Sequence, residues 1–247
     1  MISFDACKGS LNPVRFFKWC KYKLGFAKKH PEYFYPDGLS IFVGPQGSGK
    51  TLSAVNYVYK LMKYYPQALL VTNIELRDYP FDSQRVFPFN NSDDLSNYSN
   101  GEQGVIFLID EIQLYFNSLQ SKNINPEVMV QISQQRKQRK HIIATSQVFG
   151  RMAKPLREQF SSVIVCKNYF GFLQVNKLVD RDSIEDYDNG TNLKGQVKKK
   201  FFWFHSPLDY GKYNTYYVIE KNKFISQEEK RVDIYGHQLS DSSRDDG

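Results

Sequence analysis

Residues 44–51 read Gly-Pro-Gln-Gly-Ser-Gly-Lys-Thr, and they directly follow an apolar, strand-like run at 39–43. A helix-like stretch comes next, so a strand, a glycine-rich loop and a helix occur in the order that a phosphate-binding loop requires. Glycines let the backbone N–H groups of such a loop turn inward, and the helix directs the positive end of its dipole at the bound anion. A chance glycine turn before a helix would not fill every constrained position of this pattern. The loop therefore predicts a nucleoside triphosphate site.

The last two residues of this loop have individual predicted tasks. Lys50 is placed to reach the β- and γ-phosphates, and the Thr51 hydroxyl is placed to hold Mg²⁺. The ligands that we predict are therefore ATP and Mg²⁺. The residues predicted to contact the nucleotide are Gly44, Pro45, Gln46, Gly47, Ser48, Gly49, Lys50 and Thr51.

A second apolar run, at 105–109, ends in the carboxylate pair Asp110 and Glu111. At the tip of a buried strand beside a phosphate-binding loop, Asp110 would orient Mg²⁺ through water. Glu111 would polarise an attacking water as the general base. A strand that merely ends in acids at a turn is the alternative, but such a pair downstream of this loop separates hydrolysing motors from nucleotide kinases and small GTPases. The pair predicts an ATPase with Lys50 and Glu111 as catalytic residues.

A third strand-like run ends in Ala-Thr-Ser-Gln at 144–147. The Gln147 amide at this tip would hydrogen-bond the γ-phosphate or the lytic water, which makes it a candidate sensor. The alternative is an amide that simply opens a loop.

Cations cluster on both sides of this strand, at 134–140 and then at Arg151, Lys154 and Arg157. In a ring of subunits, one of them would enter a neighbour's site as an arginine finger, and Arg157 is the residue that we assign to this role. The others would line a surface that faces DNA. The alternative is a solvated helix end, where cations suit the helix dipole.

Apolar strand-like runs alternate with helix-like stretches through most of the chain. Near-continuous apolar strands separated by helices predict an α/β fold with a mainly parallel sheet of about five core strands between helices. We expect a P-loop NTPase of the additional-strand, RecA- or FtsK-like type, followed by β additions at 201–204 and 213–219. The predicted strands are 39–43, 68–76, 105–109, 141–145 and 162–166, and the predicted helices are 50–64 and about 125–140.

The chain divides by composition into four predicted regions. They are a basic aromatic segment at 1–38, the ATPase core at 39–170, a β-rich extension at 171–225 and a polar, flexible tail at 226–247. Within the first region, residues 11–29 contain six basic side chains and no acid, interleaved with aromatic rings. Three interpretations stay open for this segment: an amphipathic helix packed on the core, adhesion to a membrane surface, or contact with DNA.

Charge and cysteine content limit the partners and the compartment. A net charge of +7 indicates nucleic acid or an anionic membrane as a partner. Three scattered cysteines and four isolated histidines argue against a disulfide framework or a zinc site. The longest apolar run, 105–109, is far shorter than the roughly 20 residues that a spanning helix needs. We therefore expect a cytoplasmic protein that is at most peripheral to a membrane or associated with a virion.

Taken in order, these motifs resemble the Zot family, which comprises zonular occludens toxin-like ATPases and the gene I assembly proteins of filamentous phages. They are also similar to the wider HerA/FtsK class of DNA-pumping ATPases. The resemblance implies an ATP-driven motor for viral DNA export, packaging or assembly that works as a ring of identical subunits. The matching segments are 44–51, 72–74, 110–113, 136–147, 156–157 and 213–219.

The sequence departs from this family in one respect. Members usually carry a membrane-spanning helix after the ATPase domain, and we expect none in this sequence. The departure leaves room for a soluble packaging ATPase that residues 11–29 hold at a portal, capsid or membrane. Two other functions stay open. One is an ATP-gated assembly or export factor that does not itself move DNA, and the other is a nucleotide kinase.

Overall fold

The computed structural model describes residues 13–30, 33–34, 38–78, 81–116, 126–181 and 197–214. Within these residues a single sheet of eight strands is covered by helices on both faces. The strands are β1 (Leu39–Val43), β2 (Leu69–Thr72), β3 (Val86–Pro88), β4 (Val105–Ile109), β5 (Lys140–Ser146), β6 (Phe160–Tyr169), β7 (Leu173–Val179) and β8 (Val197–Phe204).

Within the part of the chain that the structure describes, six α-helical segments accompany this sheet. They are α1 (Pro13–Lys29), α2 (Lys50–Tyr64), α3 (Asp94–Asn97), α4 (Pro126–Ser133), α5 (Lys154–Arg157) and α6 (Pro207–Tyr210). Short 3-10 helices lie at Ser83–Arg85, Gly101–Gln103, Ile112–Leu114 and Phe149–Arg151. The predicted tail at 226–247 and most of the predicted strand at 213–219 lie outside the described residues.

The strand order is β3-β2-β4-β5-β1-β6-β7-β8, with β1 to β6 parallel and β7 and β8 antiparallel. Strand β5 lies between β1, which leads into the glycine loop, and β4, which ends in the carboxylate pair. This is the additional-strand arrangement, so the predicted fold class is confirmed. Parallel strands end at the same edge, so all the predicted motif residues at strand ends meet there.

The central strands β1, β4 and β5 are buried along their whole length because both of their faces are covered. Ile41 of β1 packs in one core layer with Val128 of α4 and Leu156 of α5. Phe42, its neighbour in the strand, packs in the other layer with Val55 of α2. Successive side chains of a strand point to opposite faces, so each central strand contributes to both layers.

Several predicted boundaries are wrong. The strand predicted at 68–76 ends at Thr72, because the Asn73 side chain turns to hydrogen-bond the backbone of Asp110. The helix predicted to about residue 140 ends at Ser133, since the chain then reverses through turns into β5 and Arg139 adopts a φ of 54°. Strand β6 is longer than predicted at both ends.

Helix α1 shows that most of the segment 11–29 is helical, but its aromatic side chains are not buried on the core. The side chains of Phe16, Phe17, Trp19 and Tyr22 are all more than half exposed. Among the residues that the structure describes, no helix combines the length and the apolar character needed to cross a membrane.

Candidate nucleotide site

The glycine loop connects the carboxyl end of β1 to the first turn of α2. Gly47 and Gly49 have φ angles of 75° and 78°, in the left-handed region that glycine adopts without strain. Gly49 is the N-cap of α2 and offers no side chain to the first amides of the helix. The N–H groups of a first helical turn have no partner within the helix, so this end of α2 is suited to bind an anion.

Two side chains of the loop fit a polyphosphate. The hydroxyl of Ser48 is buried and has no hydrogen-bond partner among the described residues. The side chain of Lys50 is only 7% exposed, and its ammonium lies 3.7 Å from a carboxylate oxygen of Glu111. A buried cation, an unsatisfied hydroxyl and a helix N-terminus therefore lie in the same short segment. This donor set matches the chemistry of the β- and γ-phosphates.

The residues predicted to hold Mg²⁺ are in direct contact. The hydroxyls of Thr51 and Thr145 donate to the same Asp110 oxygen, Oδ1, at 2.9 and 2.5 Å. Burial raises the pKa of the Asp110 carboxyl, and these two hydrogen bonds oppose that rise. Hydroxyl and carboxylate oxygens are the hard ligands that Mg²⁺ prefers, so Thr51 and Asp110 fit the ion.

A protein cage for a metal ion is not found among the described residues, where no group of three or more histidine, cysteine, aspartate or glutamate side chains could hold one. Mg²⁺ commonly uses one or two protein oxygens and completes its shell with substrate phosphates and water. The sparse pair of Thr51 and Asp110 is therefore consistent with an ion that arrives with a nucleotide.

Glu111 is held by four side chains. Its backbone adopts a φ of 50°, and its N–H donates to Thr145 Oγ1 at 3.0 Å. Its carboxylate accepts hydrogen bonds from Gln113 Nε2 at 2.5 Å and Gln147 Nε2 at 3.2 Å, in addition to the Lys50 contact. The structure thus brings together Lys50, Glu111 and Gln147, which belong to three separate sequence motifs.

Asn73 is a site residue to which the sequence analysis assigned no role. Its side-chain oxygen accepts from the Asp110 N–H at 2.8 Å, and its amide nitrogen donates to the Asp110 carbonyl at 2.9 Å. The same nitrogen lies 3.2 Å from the Tyr115 hydroxyl. Asn73 therefore clamps the backbone that presents the carboxylate pair. The sequence pattern that could have identified Asn73 is a side-chain amide directly after an apolar strand, the same pattern that identified Gln147.

Gln174 and Asn176, on the buried side of β7, were also missed. Gln174 is fully buried and donates to the carbonyl of Ser48 at 3.0 Å and to Asn176 Oδ1 at 2.8 Å. Asn176 in turn donates to the Ser53 hydroxyl on α2 at 3.1 Å. A Cβ atom on Gly49 would lie 2.1 Å from Gln174 Oε1. Strand β7 therefore supports the loop from behind.

Arg157 is not placed at this site in its own chain. It ends α5, just before β6, and the first residue of β6 pairs with Leu39 at the amino end of β1. The glycine loop lies at the carboxyl end of β1, at the opposite edge of the sheet. A role for Arg157 in a neighbouring subunit's site stays a prediction.

Residues 38–202 match the family model described as Zonular occludens toxin (Zot). No curated protein sequence matches the chain.

Solved structures with a similar fold include two proteins of low sequence identity. The N-terminal domain of zonular occludens toxin from Neisseria meningitidis has a TM-score of 0.48 and 18% identity, covering 72% of this chain and 98% of that one. The genome packaging NTPase B204 from Sulfolobus turreted icosahedral virus 2, in complex with ATP-gammaS, has a TM-score of 0.47 and 15% identity. That match covers 70% of this chain and 98% of B204.

Proposed function

The chain belongs to the Zot family, and from this premise we propose that it is an ATPase that drives viral genome packaging or assembly by moving DNA. The observation that carries the proposal is the position of the Glu111 carboxylate, which contacts Lys50 of the glycine loop and Gln147 of the adjacent strand end. A carboxylate between a phosphate-binding lysine and a polar amide is placed to activate a water against a γ-phosphate.

The chemistry follows from these positions. The loop amides and Lys50 bind the β- and γ-phosphates of ATP, and Lys50 exchanges its contact with Glu111 for the phosphate. The freed Glu111 carboxylate polarises a water molecule, which attacks the γ-phosphorus while the bond to the bridging oxygen of ADP breaks. Glu111 takes up the proton of that water, and the products are ADP and inorganic phosphate. Mg²⁺, held by Thr51 and Asp110 when bound, would neutralise charge on the phosphates.

Gln147 and Asn73 act on the position of Glu111. Gln147 orients the carboxylate and would contact the attacking water, because its amide already lies 3.2 Å from Glu111 Oε1. Asn73 fixes the backbone of Asp110 through two hydrogen bonds, and these bonds hold the end of β4 in place. Strand ends held in this way keep the catalytic groups in place before substrate binds, which lowers the cost of reaching the transition state.

Family membership and the net charge of +7 support the DNA-handling part of the proposal. We propose that the chain works in the host cytoplasm as a ring of identical subunits, with Arg157 reaching the site of its neighbour. Its position at the far edge of its own sheet requires such a partner if it acts in catalysis. Residues 11–29 would hold the ring at a portal, a capsid or a membrane surface.

The test compares ATP hydrolysis by the full chain with and without DNA. We expect Glu111→Gln to keep ATP affinity and to lower kcat about a hundredfold or more, whereas the matched control Glu158→Gln, at an exposed position, leaves both unchanged. Hydrolysis that survives Glu111→Gln would exclude Glu111 as the base. Hydrolysis that no DNA stimulates would favour the ATP-gated factor, and ADP release that requires a nucleotide acceptor would favour the kinase.

A further inference from the structure

Strand β8 and the turn between β6 and β7 carry exposed aromatic rings on the face turned away from α2. Phe172 and Phe204 are 51% and 70% exposed, and their rings stack with centroids 6.2 Å apart and an angle of 20° between planes. Phe170, 85% exposed, also stacks with Phe172, with ring centroids 6.1 Å apart. Phe202 is also mostly exposed and shares the face of Phe204, because alternate residues of a strand point the same way. Stacked exposed phenyl rings give this face an extended aromatic platform.

Lysines occupy the same face in the adjoining rows of the sheet. Lys167 and Phe202 both lie opposite Val175, and Lys200 lies opposite Lys177 one row further along. The two acids within the described residues 160–181 and 197–214 are already neutralised by ion pairs, Asp180 with Lys198 and Asp209 with Lys212. Within these described residues, the uncompensated charge beside the rings is therefore positive.

We propose that this aromatic-basic surface, formed by Lys167, Phe170, Phe172, Lys200, Phe202 and Phe204, binds single-stranded nucleic acid. Unpaired bases stack on exposed rings while lysines neutralise the phosphates, and this combination is the one used for strand binding without sequence preference. A duplex offers no free base faces to such a platform. The inference rests on the proposed function, in which the protein moves nucleic acid. It adds which surface binds the nucleic acid, and that the bound form is single-stranded.

The surface lies directly behind the nucleotide site. Leu173 and Val175 face the rings of β8 on one side of β7, while Gln174 between them reaches the carbonyl of Ser48 on the other side. One strand therefore separates the aromatic-basic surface from the glycine loop. We expect a bound strand to change the rate of ATP hydrolysis by way of this contact.

The experiment measures fluorescence anisotropy of a labelled oligothymidylate of about 20 nucleotides and of a duplex of equal length, with the full chain and without ATP. We expect the wild-type protein to prefer the single strand, and the double variant Phe172→Ala/Phe204→Ala to bind it at least about tenfold more weakly. The matched control, Tyr64→Ala/Val130→Ala, removes two exposed apolar side chains elsewhere and should change binding by less than about twofold. Circular dichroism and thermal melting verify that both variants fold.

A lysine variant separates stacking from charge. Lys167→Ala/Lys200→Ala should weaken binding at low salt and reduce the slope of affinity against salt concentration, because fewer counterions are released. Equal affinity of wild-type protein for duplex and single strand, or unchanged single-strand binding by Phe172→Ala/Phe204→Ala, would overturn the assignment of this surface. Basal ATP hydrolysis is measured on the same samples. If the protein hydrolyses ATP although the binding results overturn this surface, the proposed nucleotide site is unaffected.

Discussion

The strands that end at the nucleotide site and the strands behind it place their functional residues differently. Strands β1, β4 and β5 are buried along their whole length, and their site residues lie at the last positions of each strand or just beyond its end. Strand β7 carries polar residues inside the strand, with Gln174 and Asn176 on its buried face. A parallel strand covered on both faces has only its tip free for function, whereas a strand near the sheet edge can use each face separately.

The largest effect is expected from a change at a strand tip. Lys50→Ala should lower ATP affinity and reduce hydrolysis about a hundredfold or more, because no other described cation of the loop can reach the phosphates. Lys60→Ala, at an exposed position on the same helix, is the control and should leave both quantities unchanged. Binding of a fluorescent ATP analogue and phosphate release measure the two effects. A variant Lys50→Ala that keeps full affinity would remove the loop from the site.

The contact between the two regions is tested by two glycines with nearly equal φ. Gly49→Ala would collide with Gln174 Oε1, whereas Gly47→Ala would place its methyl group in open space. We expect Gly47→Ala to cost about 1 kcal/mol of stability for the left-handed backbone alone, and Gly49→Ala clearly more. Thermal melting and nucleotide affinity measure the difference.

A double variant decides whether Gln174 causes that difference. Gly49→Ala/Gln174→Ala should be less impaired than the sum of the two single changes, since removing the amide makes room for the methyl group. Simple additivity of the two effects would mean that β7 does not constrain the loop.

A smaller effect on stability is expected at Asp110, and its sign is opposite to that of the effect on activity. Its pKa is raised above the ordinary value of 3.8 by burial, so the folded nucleotide-free protein binds this proton more tightly than the unfolded chain does. The resulting stability is fully present below the unfolded pKa and is lost as the pH rises through the folded pKa. Asp110→Asn should therefore melt at a higher temperature than wild type at neutral pH, and the gap should narrow toward acid.

The same variant should lose Mg²⁺-supported hydrolysis, because an amide does not replace the carboxylate as a ligand. Melting curves over a pH series without nucleotide measure the stability of this variant, and phosphate release measures its ATP hydrolysis. Gln174→Ala offers the contrast, since it should lower stability and ATP affinity together by leaving the Ser48 carbonyl unpaired. Asp110, at the end of β4, would then support activity at the expense of stability, whereas Gln174 in β7 would support both activity and stability.

This contrast also explains what the sequence could predict. The loop at 44–51, the pair Asp110 and Glu111, and Gln147 all follow apolar runs, and the end of such a run is visible in one dimension. Their meeting at one edge follows from the parallel sheet. The fold class, the five core strands and α2 were predictable for the same reason, because apolar periodicity reports burial on two faces.

Other residues could not be predicted because their partners are distant in sequence. Gln174 and Asn176 alternate with apolar residues, a pattern that ordinarily indicates a solvent-facing side, but here their partners Ser48 and Ser53 lie on the buried side. Asn73 was visible as a tip amide, yet its role depends on the Asp110 backbone of another strand. The early end of α4 depends on the left-handed turn at Arg139, which no residue preference favours.

The pairing of β6 with β7 has a mechanical consequence. Residues Val163 to Tyr169 pair with Val179 to Leu173 without a break in register. Hydrogen bonds of an antiparallel pair run across the strands, so a pull along β7 loads all of them together in shear and does not unzip them in turn. If a single-stranded nucleic acid bound to the aromatic-basic surface were pulled, the force would be transmitted through these hydrogen bonds to Gln174. From there it would reach the glycine loop through the hydrogen bond between Gln174 and the Ser48 carbonyl.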